Sequence, residues 1–307
     1  MPTLQLAAIT QANRPAQLPL LSKLADILAT SPEVTHLMVR GSLAHGTADR
    51  LSDVDLVAGV HDARFPSFVE ALDTLMPVEA GALLPGWRDT IVADLGGVGL
   101  VFLVPDEGKL HQIDLYVAPA SRIPRLQETV STAVLLDRRP GPVAAPDVAA
   151  AESFAAAFLA RPRSCAELLI EHLVLAVLLH KRIKRGQRFV AYSEWYRLHT
   201  ATKDLIKTAL APASRFWGWY QLREEIGITP IGRACLRDLD AAISGPAVPE
   251  AADVTEAIER VLTLAERACP QALDGLHDAV AAYRTYQELV RTHSTSRARP
   301  PAGPARA

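Results

Sequence analysis

Through the first half of the chain apolar residues come in short runs broken by polar clusters, and through the second half they recur every three or four positions. Leu18, Leu21, Leu24, Ala25 and Leu28 predict a helix over Gln17–Thr30, stopped by Ser31-Pro32. A strand-like run from Thr35 to Val39 ends at Gly41-Ser42, and after a polar loop the chain re-enters an apolar run at Val54–Val57. Phe65, Phe68, Val69, Leu72 and Met76 share one face of a second helix. Three more runs, Thr90–Leu95, Gly99–Val104 and His111–Val117, read as strands, and Pro105-Asp106-Glu107-Gly108 joins the last two as an antiparallel hairpin. This order of elements predicts a small mixed sheet backed by helices.

Past Leu136 the texture changes. Residues Asp137 to Val148, DRRPGPVAAPDV, form a proline-rich connection. Helices are expected after it at Ala149–Ala160, Ser164–Arg185, Ala191–Leu210, Arg215–Glu225, Gly232–Ile243, Ala252–Ala268 and Gln271–Arg291, with Pro162, Pro212, Pro230, Pro246 and Pro270 between them. The expected fold class is α+β: an N-terminal mixed-sheet domain over residues 1–140, an all-α helical bundle over 149–292, and a disordered tail over 293–307.

With 307 residues and 49% hydrophobic composition, the chain has enough apolar material for two such cores. A formal net charge of −2 argues against a general nucleic-acid or membrane surface, so the expected partners are small molecules. Cys165, Cys235 and Cys269 are widely spaced and odd in number, which reads as core thiols of a reducing compartment. The first fifteen residues lack a basic segment followed by a long apolar run, and a cytoplasmic location is expected.

The chemistry concentrates between Arg40 and Val57, RGSLAHGTADRLSDVDLV. Residues i and i+2 of a strand point to one face, so Asp53 and Asp55 project together while Val54 and Leu56 enter a core. Carboxylates held that close repel unless a cation lies between them, and Mg²⁺ is the usual hard, oxygen-liking choice. Gly41 lets backbone approach a ligand, and Ser42 offers a hydroxyl and an N–H to an anion. The strand HQIDLYV adds Asp114, which alternates with Ile113 and Leu115. The bland alternative is that Asp53 and Asp55 are solvated residues of an edge strand; Asp49 is read as shaping the loop, and His45 as solvated or a nucleotide contact.

Gly41-Ser42, Gly46, Ser52-Asp53-Val54-Asp55-Leu56 and the later strand-borne Asp114 together resemble the signature of the DNA polymerase beta-type nucleotidyltransferase superfamily. The form GSLAHGTADRLSDVDL is most similar to its small-molecule branch, the aminoglycoside and lincosamide nucleotidyltransferases, and the match covers the first half of the chain. The resemblance implies that Asp53, Asp55 and Asp114 are the ligands of two Mg²⁺ ions bridging a nucleoside triphosphate. It also implies that Gly41 and Ser42, with Ser52 beside the carboxylates, form the phosphate site.

In the helical half, Leu168–Leu179 is apolar almost all round, which predicts a central helix. A carboxylate inside such a helix is costly unless it faces a partner or a cavity. In the family a carboxylate of the helical half takes the acceptor's proton; Glu171 is the first candidate for that base, with Glu167 one turn earlier as the other. Both also read as residues favoured by the helix dipole. Lys181 and Lys184 near the end of this helix are candidates to meet phosphate, or else a solvated basic end. The cluster Arg215-Phe216-Trp217-Gly218-Trp219-Tyr220 reads as packing, or as a stacking surface for an acceptor.

The expected function is Mg²⁺-dependent transfer of a nucleoside monophosphate, AMP from ATP in the simplest case, to a hydroxyl of a small molecule such as an antibiotic or a biosynthetic intermediate. Two alternatives stay open: a protein or RNA acceptor, and a nucleotide-binding module without catalysis. The chain is expected to act as a monomer or homodimer.

Overall fold

A computed structural model of the chain describes residues 17–89, 95–138 and 147–296. Helix α1 (Leu18–Thr30) leads into β1 (Val34–Arg40), a single helical turn α2 (Gly41–Ala44) and β2 (Val54–Val60). Then come α3 (Phe65–Leu75), β3 (Leu83–Arg88), β4 (Val98–Asp106), β5 (Lys109–Pro119), α4 (Ile123–Thr129) and β6 (Thr132–Asp137). The six strands form one mixed sheet in the order β3-β4-β5-β2-β1-β6. Only the central pair, β2 with β5, is parallel; its register sets Asp55 opposite Asp114.

The central strands carry continuous apolar runs because both faces of the sheet are covered. On one face Val39, Val54, Leu56, Ile113 and Leu115 pack with Leu21, Leu24 and Leu28 of α1 and Phe65, Val69 and Leu72 of α3. On the other face Met38, Val57 and Tyr116 pack under Ile123 and Leu126 of α4. The mixed-sheet domain expected from the sequence is present, with two strands the pattern did not show. Leu83–Arg88 contains Pro85-Gly86, which reads as a turn; here it is an edge strand, where proline is tolerated. Thr132–Asp137 is the opposite edge, paired with β1. The strand expected at Thr90–Leu95 lies, apart from Leu95, outside the described residues.

The described residues after the sheet are mainly helical: α5 (Val148–Ala160), α6 (Cys165–Lys184), α7 (Arg188–Leu210), α8 (Leu222–Ile226), α9 (Pro230–Ile243), α10 (Ala251–Ala268), α11 (Pro270–Asp274) and α12 (His277–Ser296). This gives the α+β, two-part architecture. Helix α5, beyond the proline-rich connection, returns to the sheet: Ala151 and Ala155 join its core, and Phe154 meets Phe65 edge to face at 5.7 Å. The single helix expected at Arg215–Glu225 is instead a 3₁₀ turn, Pro212–Trp217, followed by α8, with Gly218 at φ +58° between them. Helix α12 continues to Ser296, past the expected start of the tail at His293; the remainder of that tail lies outside the described residues. Among the described residues no helix is long and apolar enough to cross a membrane.

Helix α6 is the axis of the helical part. A reciprocal capping box between Ser164 and Glu167 fixes its start, and every residue from Leu168 to Lys181 is buried. It packs against α7 and α10, and the same core takes in Trp87, Val101, Leu103 and Leu110 from β3, β4 and β5. Gly186, at φ +67°, ends the segment, and the chain reverses into α7. Helices α6 and α7 therefore run antiparallel, which brings the basic end of α6 beside the start of α7 and both to the carboxylate end of the sheet.

Candidate active site

Asp53 sits immediately before β2, Asp55 within it and Asp114 on its parallel neighbour β5, so three carboxylates come from two adjacent strands. Burial pushes the Asp55 carboxyl up to about 6, and the charge of Asp53 adds to the push, against the pull of Arg40, Lys181 and Arg182. Asp114 is raised well above the usual carboxylate range, first by burial and then by Asp53 and Asp55. Burial, more than mutual repulsion, is what disfavours the ionised form of both carboxyls.

Two of these cations pair directly with the carboxylates. Arg40 Nε stands 3.6 Å from Asp55 Oδ1. Lys181, buried near the end of α6, makes an ion pair with Asp53 and donates to Gln112 Oε1 at 2.8 Å. Gln112 in turn donates through Nε2 to Asp114 Oδ1 at 2.6 Å. Gly41, at φ +62°, lies against the same cluster: a Cβ there would fall 2.5 Å from Asp55 Oδ2, so only glycine allows the loop to approach so closely. Ser42 is in the helical turn that follows, its carbonyl accepting from Thr47 N at 3.0 Å.

The loop between Gly46 and Asp53 is built by Asp49 and Ser52. Asp49 Oδ1 accepts from Leu51 N at 2.8 Å and from Ser52 Oγ at 3.1 Å, and Ser52 Oγ accepts from Asp49 N at 2.9 Å. Arg185 reaches across from the end of α6 to Asp49 Oδ1 at 2.6 Å and to Ser52 Oγ at 3.4 Å. Ser52 is therefore a structural member of the loop, and the helical half grips the loop from above. His45 turns back on its own loop, its Nδ1 2.7 Å from the Gly41 carbonyl oxygen.

Of the residues singled out in the sequence, Asp53, Asp55, Asp114, Gly41, Ser42, Ser52 and Lys181 come together. Lys184, one turn on, is exposed and makes none of these contacts. Glu171 is not at the cluster. It is ten residues before Lys181 on α6, about 15 Å along the axis, where it is ion-paired with Arg163, itself 3.0 Å from Asp204. Glu167 is farther still, in the capping box and paired with Arg88 at 3.2 Å. The exposed aromatics Phe216, Trp217 and Tyr220 belong to the loop after α7, about 24 Å along that helix from Glu194. They do not line the carboxylate cluster.

Several residues that the sequence did not flag touch the cluster or lie within electrostatic range of it. Glu194, buried near the start of α7, pairs with Arg182 at 3.1 Å; burial raises its carboxyl, Arg182 and Lys181 pull it back, and Asp53 adds to the rise. Tyr286 of α12 packs against His180 and Tyr283, and burial together with the nearby charge of Asp53 pushes its phenol up to about 12. Gln112 was legible in one respect, since it lies two residues before Asp114 and so on the same face of β5. Glu194 and Tyr286 carried no comparable signal.

Three carboxylates converging beside a backbone cradle are donors of the kind a hard divalent cation takes, and the chemistry of the set fits one. Among the described residues no group of three His, Cys, Asp or Glu stands ready-made around a metal position, and Lys181 holds Asp53. No protein-family model matches the chain, and comparison with curated proteins finds no significant match.

Proposed function

We infer that the protein is a nucleotidyltransferase that moves a nucleoside monophosphate, AMP from ATP in the simplest case, to a hydroxyl of a small molecule. The observation that carries this reading is the convergence of Asp53, Asp55 and Asp114 on the parallel pair β2–β5, with the Gly41 cradle and Lys181 closing over them. Such transfer joins the acceptor oxygen to the α-phosphorus, breaks the bond to the β-phosphate oxygen, and releases pyrophosphate. Negative charge develops on attacking and leaving oxygens, and a protein contributes to this reaction mostly by positioning and charge.

Each residue then has a role. Asp53, Asp55 and Asp114 would hold Mg²⁺, whose chemistry when bound is to neutralise phosphate charge and polarise the reacting oxygens. Gly41 and Ser42 would receive the phosphates on backbone N–H groups and the serine hydroxyl. Lys181 faces the same position as a point charge. Glu194, in place of Glu171, would be the carboxylate of the helical half that accepts the acceptor's proton: it is held by Arg182, the neighbour of Lys181 on α6, and its burial raises its carboxyl.

The test is pyrophosphate release from the full chain with Mg²⁺ and each nucleoside triphosphate across a panel of hydroxylated small molecules. The reading expects an acceptor-dependent signal that falls by 100-fold or more, on the order of the loss of a main electrostatic stabiliser, in a variant carrying both Asp53→Asn and Asp55→Asn. Equal release by that variant would refute the carboxylate assignment, and label found on a co-purifying protein would replace the small-molecule acceptor with a macromolecular one.

A further inference from the structure

Lys181 has two acceptors of different kinds. One is the Asp53 carboxylate and the other is Oε1 of Gln112, an uncharged amide that is 4% exposed. The amide's polarity is fixed by its neighbours. An ammonium can only donate, and the amide has a single oxygen to accept. Oε1 therefore faces Lys181, and Nε2 donates to Asp114 Oδ1 at 2.6 Å. A glutamate at this position would turn a second acceptor on Asp114, and an aliphatic residue would satisfy neither neighbour. One side chain thus ties a lysine of the helical part to a carboxylate of the sheet.

We propose that Gln112 is a positioning residue for the transfer reaction: it retains the Lys181 ammonium at the mouth of the cluster when Asp53 is taken over by a divalent cation and its nucleotide. The inference rests on the nucleotidyl-transfer reading above. Its physical basis is that Lys181 and a cation compete for the same Asp53 oxygens, whereas a neutral amide competes poorly with three carboxylates for a hard ion. Gln112 is therefore the partner Lys181 keeps. Without it the ammonium, released from Asp53, has no fixed acceptor and leaves on its flexible stem. With Oδ1 of Asp114 committed to the amide, Oδ2 is the oxygen left for other partners.

Two measurements on the full chain test this, with Mn²⁺ as the cation and ATP as the nucleotide. In the first, ATP dissociation constants are measured for wild type, Gln112→Met, Lys181→Met and the double variant. Because Gln112 acts through Lys181, each single change weakens binding about tenfold, the scale of a hydrogen bond to a charged group, and the double variant is no weaker than Lys181→Met. Losses that multiply to about 100-fold, or an unchanged Gln112→Met, overturn the proposal.

The second uses wild type alone and so does not depend on a variant folding. Reductive methylation of lysines is followed by peptide mass spectrometry with and without saturating Mn²⁺. Lys181 stays protected in both states while exposed Lys184 is modified in both. Lys181 becoming as reactive as Lys184 when Mn²⁺ is added overturns the role of Gln112. Wild type that binds neither Mn²⁺ nor ATP overturns the nucleotidyl-transfer reading itself, and the proposal with it.

Discussion

Asp55→Asn should make the apoprotein more stable at neutral pH while abolishing its activity. Burial, with Asp53 beside it, raises the folded-state carboxyl of Asp55 to about 6 from an ordinary value of 3.8. A raised carboxyl means that the folded chain holds the proton more tightly than the unfolded one. Its stabilising contribution is complete below about pH 4 and is lost as pH rises through about 6. Above that, the ionised Asp55 is a net cost. A difference of about two pH units corresponds to about 3 kcal/mol, and the attraction of Arg40, Lys181 and Arg182 is already contained in the shift. Asparagine keeps the shape and removes the charge, so the gain at pH 8 should be about 1 to 3 kcal/mol, falling to about half by pH 5. Urea denaturation of both proteins at the two pH values, with divalent ions chelated, measures it. A variant less stable than wild type at pH 8, or a gain that does not shrink toward pH 5, would refute the electrostatic account of the cluster.

Glu194→Gln should lower turnover by about 100-fold, the scale of a lost general base, with nucleotide affinity unchanged, whereas Glu171→Gln should leave turnover within about threefold; steady-state kinetics with an active acceptor separates the two. Arg163→Met leaves the buried Glu171 without its counter-charge and should cost about 3 kcal/mol at pH 7 by denaturant unfolding, with the loss shrinking as pH falls and the carboxyl is protonated. Gly41→Ala forces a side chain into a left-handed backbone and against Asp55 Oδ2, which should cost about 1 to 2 kcal/mol of stability and displace the carboxylate enough to remove pyrophosphate release; an alanine variant with wild-type activity would show that the close approach is unnecessary.

The elements of local origin could be read from the chain: the strand–loop–strand around Gly41 and Asp53, the hairpin at Pro105–Gly108, and the apolar length of α6 with its stop at Gly186 are matters of period, turn chemistry and capping that neighbouring residues decide. Edge strands were less legible, because Leu83–Arg88 and Thr132–Asp137 carry little alternation and owe their conformation to the partner strand. The site divides the same way. Sequence placed Asp53 and Asp55 on one face and offered Asp114 as a third ligand, yet the parallel register that sets Asp55 against Asp114 is a long-range pairing. The apolar length of its helix singled out Glu171, while nothing in the local pattern marked Glu194. Their difference arises from the antiparallel packing of α6 on α7, which pairs Glu194 with Arg182, next to the Lys181 that holds Asp53, and leaves Glu171 with Arg163 and Asp204 well down the helix axis. Composition and spacing specify which chemical groups a segment carries and which way they face locally; which groups meet is set by how the buried faces of distant segments pack.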